Sequence, residues 1–536
     1  MPVDSRSKPN LLGEGASVSE QGEIMTGVVT MEDIRSVAVI GAGTMGSGIA
    51  QVAAFHGFST ILVDLDQAML DRGIQSISKS LDQLVKRGKI DLEEKRVVQD
   101  RISVTTSIKT LAGVDLVIEA VAERLDVKAK IFAELETIVS DSCIFASNTS
   151  SISITAIGSN LKLPARLAGL HFFNPAPVMK LVEVVAGLAT DTQVVDTLVR
   201  LATSWGKIAV RAKSSPGFIV NRVARPFYGE GLRMLEEAQL GAEMIDAIMR
   251  ACGGFKMGPL QLTDLIGQDI NYSVTETVFK SYYQDPKFTP SLSQQELLNA
   301  GWLGRKSGRG FYDYSAETQP EPEFDHIRFG GHFQIQDVVE SDLISSLVDR
   351  IRDHRIAIPK LSKGDEGVIR FSLGAELVIT NGQTTIERNR GREIPGCVQM
   401  DYALDYRAAD AVSISVHPEL TEEAWIEVYA FFDFLGIRSR RIKDLPGLVV
   451  LRTVVMLINE ACDALHHGVA SAKDIDLAMR YGVNYPLGPF EWANRIGVRR
   501  VAECVERLNM FYPTGRYRLS PALRMQAEID QPFEIE

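Results

Sequence analysis

The sequence predicts an α/β domain with a doubly wound sheet, followed by an all-α domain that occurs a second time at the C-terminus of the 536-residue chain. Three observations lead to this fold class. From Arg35 onward, β-rich runs alternate with helical periods, which indicates parallel strands joined by right-handed crossovers. Residues 214–315 have a helical pattern throughout. A shift of 230 positions then aligns much of this helical segment with residues near the C-terminus.

We expect the strands of the sheet where short runs of Val, Ile and Leu are bounded by turn residues. They are Val37–Ile40, Thr60–Val63, Asp115–Val121, Cys143–Ser147, Leu167–Phe172, Lys180–Val185 and Lys207–Val210. The helices between them are a first one that ends at Phe55, then Gln67–Lys86 and Val127–Val139.

The chain divides into five segments. Residues 1–34 are rich in Ser, Gly and Glu and lack the pattern of a signal peptide, so we expect a disordered extension. The sheet domain then covers 35–213, the first helical domain 214–315, a linker and β-rich segment of unknown role 316–440, and the second helical domain 441–536. Within the fourth segment we expect a helix at Glu422–Leu435.

The repeat is carried by Gly and Pro positions as well as by apolar ones. Without a gap, 15 of the 52 pairs between residues 216–267 and 446–497 are identical, which argues against chance similarity between helices. Asn221 becomes Leu451, and no glycine-rich loop precedes the second copy. We therefore interpret the second copy as structural.

Composition excludes several classes of protein. There are 57 basic and 69 acidic residues, a net charge of −12, which argues against nucleic acid or an anionic membrane as partner. The five cysteines have no CxxC spacing, and no HExxH or paired-carboxylate motif suggests a metal. No apolar run approaches the ~20 residues of a membrane span. The expected compartment is the cytoplasm.

The segment Gly41-Ala42-Gly43-Thr44-Met45-Gly46 is a GxGxxG motif between a predicted strand and a predicted helix. Gly41 permits the tight turn, Gly43 the approach of a pyrophosphate, and Gly46 close packing of helix and strand, as in a Rossmann-like dinucleotide site. Asp64 follows 18 residues later at the end of the next strand, where a carboxylate takes the ribose hydroxyls. Because that carboxylate repels a 2′-phosphate, NAD is favoured over NADP.

His171 and Glu183 are candidates for proton transfer. They lie on two predicted strands, and Asn174-Pro175 with Pro177 breaks the chain between those strands. A hairpin-like return brings the carboxylate beside the imidazole, an arrangement suited to acid–base chemistry near neutral pH. A satisfied core histidine is the alternative.

Two further segments carry polar groups. Ser147–Ser151 follows a predicted strand at the carboxyl edge of the sheet, where open α/β sheets bind ligands, although its hydroxyls also suit a helix cap. The basic residues of 304–310 and 86–89 could meet the phosphates of a cofactor or substrate, or form a solvated surface.

Together these motifs resemble the 3-hydroxyacyl-CoA dehydrogenase family. The resemblance rests on VAVIGAGTMGSGIAQVAA, FASNTSS, AGLHFFNPAPVMKLVEVV, PGFIVNR, MGPLQLTDLIG and GRKSGRGFYDY, and it covers about residues 35–315 and 440–525. The longer form, with a second helical domain containing GVNYPLGPFEW, is similar to the bacterial members that oxidise 3-hydroxyadipyl-CoA in phenylacetate catabolism.

The resemblance implies a role for each matching residue. His171 is the general base, Glu183 orients it, and Ser150 and Asn221 position the substrate. The dinucleotide contacts implied, besides the glycine loop, are Asp64, Glu123, Lys128, Asn174 and Lys306. The acyl-CoA contacts implied are Ser80, Arg87, Ser150 and Asn174, with Arg87 at a position that is commonly lysine. Arg225, one turn after Asn221, is our candidate for the distal carboxylate of a dicarboxyl acyl chain, the alternative being a structural arginine.

The resemblance also implies NAD-dependent oxidation of a (3S)-3-hydroxyacyl-CoA. Other readings remain: a short-chain 3-hydroxybutyryl-CoA dehydrogenase, an enzyme for a free β-hydroxyacid, or a silent NAD-binding structural protein. Enzymes for free β-hydroxyacids typically use a lysine base, which the histidine here argues against. We expect the second helical domain to pack on the first within the chain, imitating the contact by which simpler members dimerise. A homodimer is a further possibility.

Overall fold

The chain folds into two sheet domains and two helical domains, in the order sheet, helices, sheet, helices. The computed structural model describes residues 30–237, 240–316, 322–325, 332–391 and 396–535. Most of the expected disordered extension lies outside these residues. Its last part does not fit that expectation, because Met31–Asp33 is a 3₁₀ turn and Ile34 is buried.

The first sheet is the doubly wound sheet that the sequence predicts. Its strands are β1 Ser36–Ile40, β2 Ser59–Val63, β3 Ile102–Thr105, β4 Leu116–Glu119, β5 Ile144–Ser147, β6 Leu167–Phe172, β7 Leu181–Ala186 and β8 Ile208–Lys213. Their order is β3-β2-β1-β4-β5-β6-β7-β8, and every pairing is parallel except β6 with β7. The antiparallel pair is the predicted return between His171 and Glu183.

Helices cover both faces of this sheet. They are α1 Thr44–Phe55, α2 Gln67–Lys86, α3 Leu92–Asp100, α4 Leu125–Leu135, α5 Ile154–Ile157 and α6 Thr192–Ser204. Asp66, Asp91 and Asp191 cap α2, α3 and α6 by accepting hydrogen bonds from backbone N–H groups of the first turn. Of these elements α2 has its predicted bounds, whereas α3, α6 and strand β3 were not predicted.

The first helical domain contains α7 Val220–Val223, α8 Arg225–Glu237, α9 Ala242–Ala251, α10 Pro259–Ile266, α11 Gln268–Ser281 and α12 Leu292–Asn299. The basic glycine loop at 304–310 is fixed at its end by Asp264, whose carboxylate accepts hydrogen bonds from the N–H groups of Phe311 and Tyr312. This buried carboxylate brings the loop onto α10 and α11.

The segment after residue 316 is more than the linker and β-rich stretch that we expected. Its strands are β9 Ile335–Glu340, β10 Leu361–Lys363, β11 Val368–Phe371, β12 Glu376–Ile379, β13 Cys397–Met400, β14 Ala411–Val416 and β15 Arg438–Arg441. They form a mixed sheet of order β10-β9-β11-β12-β13-β14-β15, which packs with α13 Ser345–Asp353, α14 Thr385–Arg388 and α15 Glu422–Phe434. The segment is a second sheet domain.

The second helical domain contains α16 Val450–His466, α17 Ala472–Gly482, α18 Pro489–Ile496, α19 Val498–Phe511 and α20 Pro521–Ile529. The repeat extends into the sheet that precedes it, because β14 and β15 begin 230 positions after β7 and β8. The expectation that the second copy lacks such a unit is therefore wrong for the strands and correct for the glycine-rich loop.

The two helical domains pack face to face through α8 and α16. Arg222 Nε donates to Glu460 Oε1 at 2.6 Å, and Arg452 Nε donates to Glu230 Oε2 at 2.7 Å. Because residues 222 and 452 are equivalent, as are 230 and 460, the two ion pairs are the same contact made twice in opposite directions. This is the signature of a two-fold interface contained within one chain.

Among the described residues, no helix is long and apolar enough to cross a membrane. The same part of the chain contains no group of His, Cys, Asp and Glu side chains arranged to hold a metal ion.

Candidate active site

The glycine loop between β1 and α1 has the geometry that its motif predicts. Gly41 has a φ of +104°, and a Cβ there would lie 2.6 Å from the carbonyl oxygen of Ala120. A Cβ on Gly46 would lie 1.8 Å from the carbonyl oxygen of Gly41. In front of Gly43, by contrast, nothing lies within 4 Å of a Cβ position. The loop is packed from behind and open in front, which fits a pyrophosphate placed at the N-terminus of α1.

A cavity of about 870 Å³ opens beside this loop and is lined by Gly41, Gly43 and Asp64 among others. Asp64 Oδ2 accepts a hydrogen bond from the N–H of Ala42 at 2.8 Å, which holds the carboxylate at the end of β2. The residues present therefore fit NAD: open backbone amides for the phosphates and a carboxylate for the adenosine ribose.

Lys128 lies beneath this cavity and not on its surface. Its side chain is 1% exposed, and its Nζ is 2.6 Å from Glu119 Oε1 and 3.2 Å from Glu123 Oε2. Glu119 also accepts a hydrogen bond from the hydroxyl of Ser147 at 2.6 Å. Glu119 thus joins the carboxyl ends of β4 and β5, and the lysine neutralises it from below. The contact of Lys128 with the dinucleotide, which the resemblance implies, stays a prediction.

Glu123 organises the polar loop after β5. Its Oε1 accepts hydrogen bonds from the Thr149 hydroxyl at 2.7 Å and from the Ser150 and Ser151 N–H groups at 3.0 and 3.1 Å. Burial acts to raise the pKa of Glu123, but Lys128 and these hydrogen bonds outweigh it and lower the pKa. The carboxylate thus fixes Ser150 at the mouth of a second cavity.

His171 and Glu183 face each other in the register of β6 and β7. The imidazole Nδ1 is 2.6 Å from Glu183 Oε2, and both side chains are buried. Because a carboxylate only accepts, Nδ1 carries the proton and Nε2 is left as the basic nitrogen. The ring packs against Phe173 at 4.5 Å between centroids. The predicted pair is therefore in place, with the tautomer that a general base needs.

Glu183 connects this pair to the helical domain. Its Oε1 accepts hydrogen bonds from the N–H groups of Ile219 and Val220, each at 3.0 Å. These two residues immediately precede Asn221 on α7. One carboxylate thus orients the imidazole and anchors the helix that carries the asparagine.

Asn221 and Ser150 line a cavity of about 340 Å³ between the sheet domain and α11. Asn221 Nδ2 donates to the backbone carbonyl of Ser150 at 3.4 Å. Ile270, Val274 and Val278 supply apolar wall on α11. The cavity offers a polar end near the sheet and an apolar side toward the helices, which suits an acyl chain that ends in a reacting polar group.

The remaining residues that the resemblance implies as cofactor or substrate contacts lie at the rim of this cavity or outside it. Lys306 Nζ is 2.5 Å from Asp269, a residue that lines this cavity, so the basic glycine loop reaches its rim. Asn174 is exposed on the turn after β6. Ser80 is half-buried on α2, and Arg87 is exposed at the end of that helix. The structure therefore places Ser80 and Arg87 on the outer helix of the sheet domain, apart from the residues that line the two cavities.

Arg225 does not line the cavity that contains Asn221. Its Nη1 donates to the Thr275 hydroxyl at 2.9 Å, and the side chain opens on a neighbouring cavity of about 230 Å³. The guanidinium is buried, lies 4.8 Å from the Tyr228 ring centroid, and has an Nε without a hydrogen-bond partner among the described residues. Burial lowers the pKa of Arg225, against the opposing effect of Tyr228 and Tyr485. The positive charge of Arg225 is therefore buried with hydrogen bonds to neutral oxygen atoms and no carboxylate partner among the described residues.

The second copy keeps the strand pairing and the helix start of this site but has other residues at the positions of the histidine and the asparagine. The strand register that pairs His171 with Glu183 places Asp401 opposite Ser413, whose hydroxyl donates to Asp401 Oδ2 at 2.8 Å. Asp401 itself accepts hydrogen bonds from the N–H groups of Val449, Val450 and Leu451. The histidine position is thus a carboxylate, and the asparagine position is Leu451.

Sequence reasoning missed several residues that position the site. Lys207 Nζ donates to the carbonyls of Ala176 and Met179 at 2.6 and 2.8 Å and so holds the turn after His171. Burial lowers the pKa of Lys207 to about 8. Asn148 Oδ1 accepts a hydrogen bond from the N–H of Phe172. Asn148 belongs to the FASNTSS motif, so its position could have been predicted from the sequence. Glu119 and Lys207 are single charged residues next to strands, and nothing else in the sequence distinguishes them.

Comparisons with known proteins cover nearly the whole chain. The model of the 3-hydroxyacyl-CoA dehydrogenase NAD binding domain matches residues 36–215. The model of the 3-hydroxyacyl-CoA dehydrogenase C-terminal domain matches twice, at 217–314 and 447–532. Residues 377–446 match the 3-hydroxybutyryl-CoA dehydrogenase reduced Rossmann-fold domain, in agreement with the second sheet.

Individual relatives agree with these models. A 3-hydroxyadipyl-CoA dehydrogenase of Escherichia coli K12 is 44% identical over 504 residues, which are 94% of this chain and 100% of that protein. A probable 3-hydroxybutyryl-CoA dehydrogenase of Bacillus subtilis is 41% identical and covers 53% of this chain and 99% of its own length. The crystal structure of a 3-hydroxybutyryl-CoA dehydrogenase from E. coli K12 superposes with a TM-score of 0.84 at 43% identity, over 93% of this chain and 99% of that one.

Proposed function

The chain belongs to the 3-hydroxyacyl-CoA dehydrogenase family, and we propose that its preferred substrate is 3-hydroxyadipyl-CoA, an acyl-CoA with a second carboxylate. The family assignment makes it an NAD-dependent oxidoreductase that converts a 3-hydroxyacyl-CoA to the 3-oxoacyl-CoA. When NAD is bound, its nicotinamide ring accepts the hydride that leaves C3 of the substrate.

His171 is the proton acceptor in this proposal. Its Nε2 takes the proton of the 3-hydroxyl group, since Nδ1 is already occupied by Glu183. The buried carboxylate stabilises the imidazolium that forms, and it keeps the ring from rotating. In the reverse direction the imidazolium returns the proton to the 3-oxo oxygen.

Ser150 and Asn221 position the substrate. Both side chains border the same cavity, on opposite domains, so a substrate between them is held at the 3-oxygen and at the thioester. Glu123 and Glu183 keep the two segments in place, because each binds backbone N–H groups of the segment that it supports.

The observation that carries the substrate assignment is the near full-length likeness to a 3-hydroxyadipyl-CoA dehydrogenase, which shares both copies of the helical domain. Arg225 supports it. It is buried and begins α8, four positions after Asn221 of α7. A carboxylate there would satisfy the free Nε. The proposal requires the acyl chain to extend from the cavity of Asn221 into the neighbouring cavity that Arg225 and Thr275 line.

A short-chain substrate is the second candidate. The half-length relative and the superposed crystal structure both carry the name 3-hydroxybutyryl-CoA dehydrogenase. On that reading Arg225 is a structural residue that joins α8 to α11 through Thr275. A silent NAD-binding protein is disfavoured, because the His171–Glu183 pair, Ser150 and Asn221 are all in place.

The test is kcat/KM with NAD for 3-hydroxybutyryl-, 3-hydroxyhexanoyl- and 3-hydroxyadipyl-CoA, measured for the wild type, Arg225→Ala and Arg225→Lys. We expect the wild type to prefer the dicarboxyl substrate, and Arg225→Ala to lose on the order of 100-fold for that substrate alone because the buried carboxylate loses its partner. Arg225→Lys retains the charge and should lose less. Equal losses for all three substrates would assign Arg225 a structural role.

We also propose that the enzyme works in the cytoplasm and in phenylacetate catabolism. All five cysteines are free and buried, as in proteins of a reducing compartment.

A further inference from the structure

The cavity that Arg225 lines is shared by the two copies. It has a volume of about 230 Å³ and is lined by α8, α11 and residues 287–294 of the first helical domain. One lining residue comes from the second helical domain: Arg516, in the connection between α19 and α20. The second copy thus contributes a cation to a cavity of the first.

Arg225 and Arg516 both have nitrogen atoms that are open to a ligand. Arg516 has no hydrogen bond or ion pair to a described residue, and only its Nε is buried, so both Nη groups are accessible. Arg225 Nη1 donates to the Thr275 hydroxyl and to the backbone of Asn271, whereas its Nη2 is neither paired nor buried. Burial lowers the pKa of both guanidinium groups. Both positive charges therefore lack a carboxylate in contact among the described residues.

The two other cations of the cavity are already paired. Arg233 donates to Glu230, and Lys287 donates to Asp463. Neither of these carboxylates lines the cavity. The unmatched positive charge of the cavity therefore belongs to Arg225 and Arg516.

The two carboxylates that line the cavity do not neutralise this charge. Glu237 pairs with Arg452 at 2.9 Å. Glu236 is exposed and accepts hydrogen bonds from the hydroxyls of Ser291 and Ser293 at 3.1 and 2.7 Å. Because both carboxylates repel further negative charge, a dianion such as a phosphate is disfavoured, whereas one carboxylate matches the two open guanidinium groups.

The internal repeat shows that the contact between the copies does not itself require these arginines. A two-fold contact has two equivalent sides, and the elements that form them begin and end 230 positions apart, as α11 and α19 do. On the other side, Val455 stands at the position of Arg225, and Pro286 at the position of Arg516. The two arginines thus occur together only on the side of the catalytic copy.

The rest of the cavity suits the end of a carbon chain. Leu232, Phe288 and the ring of Tyr228 supply apolar wall. The cavity also adjoins the cavity of Asn221, because α11 lines both of them, through Val274 on one and Thr275 on the other. A carboxylate at the end of a hydrocarbon chain therefore fits both the charge and the wall.

We propose that Arg516, which the second copy contributes, binds the distal carboxylate of the acyl chain together with Arg225 and so determines specificity for the reaction of the first copy. This role rests on the proposed function, which extends the acyl chain into this cavity. It gives the second copy a part in substrate choice, since a chain with one copy of the helical domain lacks this residue.

The test is kcat/KM of the full-length enzyme with NAD for 3-hydroxyadipyl-CoA and 3-hydroxybutyryl-CoA. Arg516→Gln should lose about ten-fold for the dicarboxyl substrate, mainly through a higher KM, because a charged hydrogen bond to the bound substrate is lost. Turnover of 3-hydroxybutyryl-CoA should not change. The Tm should be no lower than that of the wild type, since Arg516 has no partner to lose. Arg518→Gln is the matched control, because Arg518 is exposed and pairs with Asp285, and both substrates should be unaffected.

A double variant shows whether the two arginines bind the same carboxylate. Arg225→Ala with Arg516→Gln should lose little more than Arg225→Ala alone, on the order of 100-fold, because without Arg225 the carboxylate is no longer held beside Arg516. A loss of about 1,000-fold, as for independent sites, would contradict a shared carboxylate.

The outcomes separate this role from the proposed substrate. A preference for 3-hydroxyadipyl-CoA that survives Arg516→Gln, equal losses for both substrates, or a lowered Tm would overturn the role of Arg516 and leave the substrate assignment standing. A wild type without that preference would overturn the substrate assignment itself, and measurements on the wild type alone show it.

Discussion

At the residue scale, His171 and Asp401 occupy equivalent positions in the two copies. Comparing them shows which structural feature is kept in the copy that has no catalytic histidine. In the first copy Glu183 accepts backbone N–H groups at the start of α7, and in the second Asp401 does so at the start of α16. Both copies thus keep a buried carboxylate at a helix N-terminus, where the helix dipole favours it. Burial raises the pKa of Asp401 to about 6, although these hydrogen bonds oppose the shift. In the second copy this carboxylate stands at the histidine position, opposite Ser413 at the position of Glu183. The helix anchor has therefore been kept without the imidazole, and Glu183 of the first copy serves both the fold and the catalytic pair.

Asp64 is the residue that we expect to set the choice of cofactor. Asp64→Ser should raise the KM for NAD about ten-fold, since it removes the acceptor of the ribose hydroxyls, and it should improve the relative use of NADP. Steady-state rates with each cofactor test this. Asp66→Ser is the matched control, because Asp66 caps α2 two positions later. An unchanged ratio of NAD to NADP use in Asp64→Ser would contradict the assignment.

At the element scale, the contact of α7 and α8 with α16 is held by ion pairs to which both copies contribute charges. Arg222 and Glu460 are both about 3% exposed, and Arg452 is fully buried with Glu230. Arg222 directly follows Asn221, so its partner on α16 also supports the helix start that carries the asparagine. Burial raises the pKa of Glu460, against the opposing effects of Lys287 and Arg222. The interface is therefore sensitive to the removal of one charge.

Glu460→Gln tests this interface. It leaves Arg222 buried with a weaker partner and should lower the free energy of unfolding by about 3 kcal/mol, as for other broken buried pairs. Urea denaturation measures the effect. Glu506→Gln, an exposed residue of the same helical domain paired with Arg524, should change stability by less than about 0.5 kcal/mol. If the two variants were equally stable, the reciprocal ion pairs would not be what stabilises the contact between the helical domains.

What the sequence could predict also depends on the scale of the interactions. Local patterns gave the strands around the glycine loop, the helix Gln67–Lys86, and the return that pairs His171 with Glu183. The strand Ile102–Thr105 was missed because it is only four residues long and partly exposed, so it has no apolar run. The second sheet was left as a β-rich segment, since short strands of a mixed sheet do not show their order in the sequence. The burial of Lys128 between Glu119 and Glu123 could not be predicted, because it depends on tertiary contacts.

At the scale of the whole molecule, the chain is a duplicated unit with one catalytic copy. The second copy provides the partner face that the first needs: Tyr485 packs on Phe227, and α17 packs on β8. The expectation of an intrachain contact between the helical domains is confirmed by the α8–α16 packing. The resemblance of that contact to a dimer of half-length members remains a proposal.

Removal of the second copy tests this dependence. A protein that ends at residue 316 exposes the face of α7 and α8 around Arg222 and Phe227. We expect it to dimerise through that face or to precipitate, with a lowered Tm in either case. Size-exclusion chromatography and thermal unfolding are the measurements. A monomer with the wild-type Tm and kcat would show that the second copy is dispensable.

The central claim is that the chain has one proton-transfer centre, at His171, although it contains two copies of the domain pair. The most direct test is the rate of NAD reduction with (3S)-3-hydroxyadipyl-CoA by the wild type and by His171→Gln, with His354→Gln in the second sheet domain as control. We predict that His171→Gln binds NAD normally and loses about 10²- to 10⁴-fold in kcat, the range for a removed general base. A residual kcat near half of the wild-type value would mean that the second copy also turns over, and it would contradict the account.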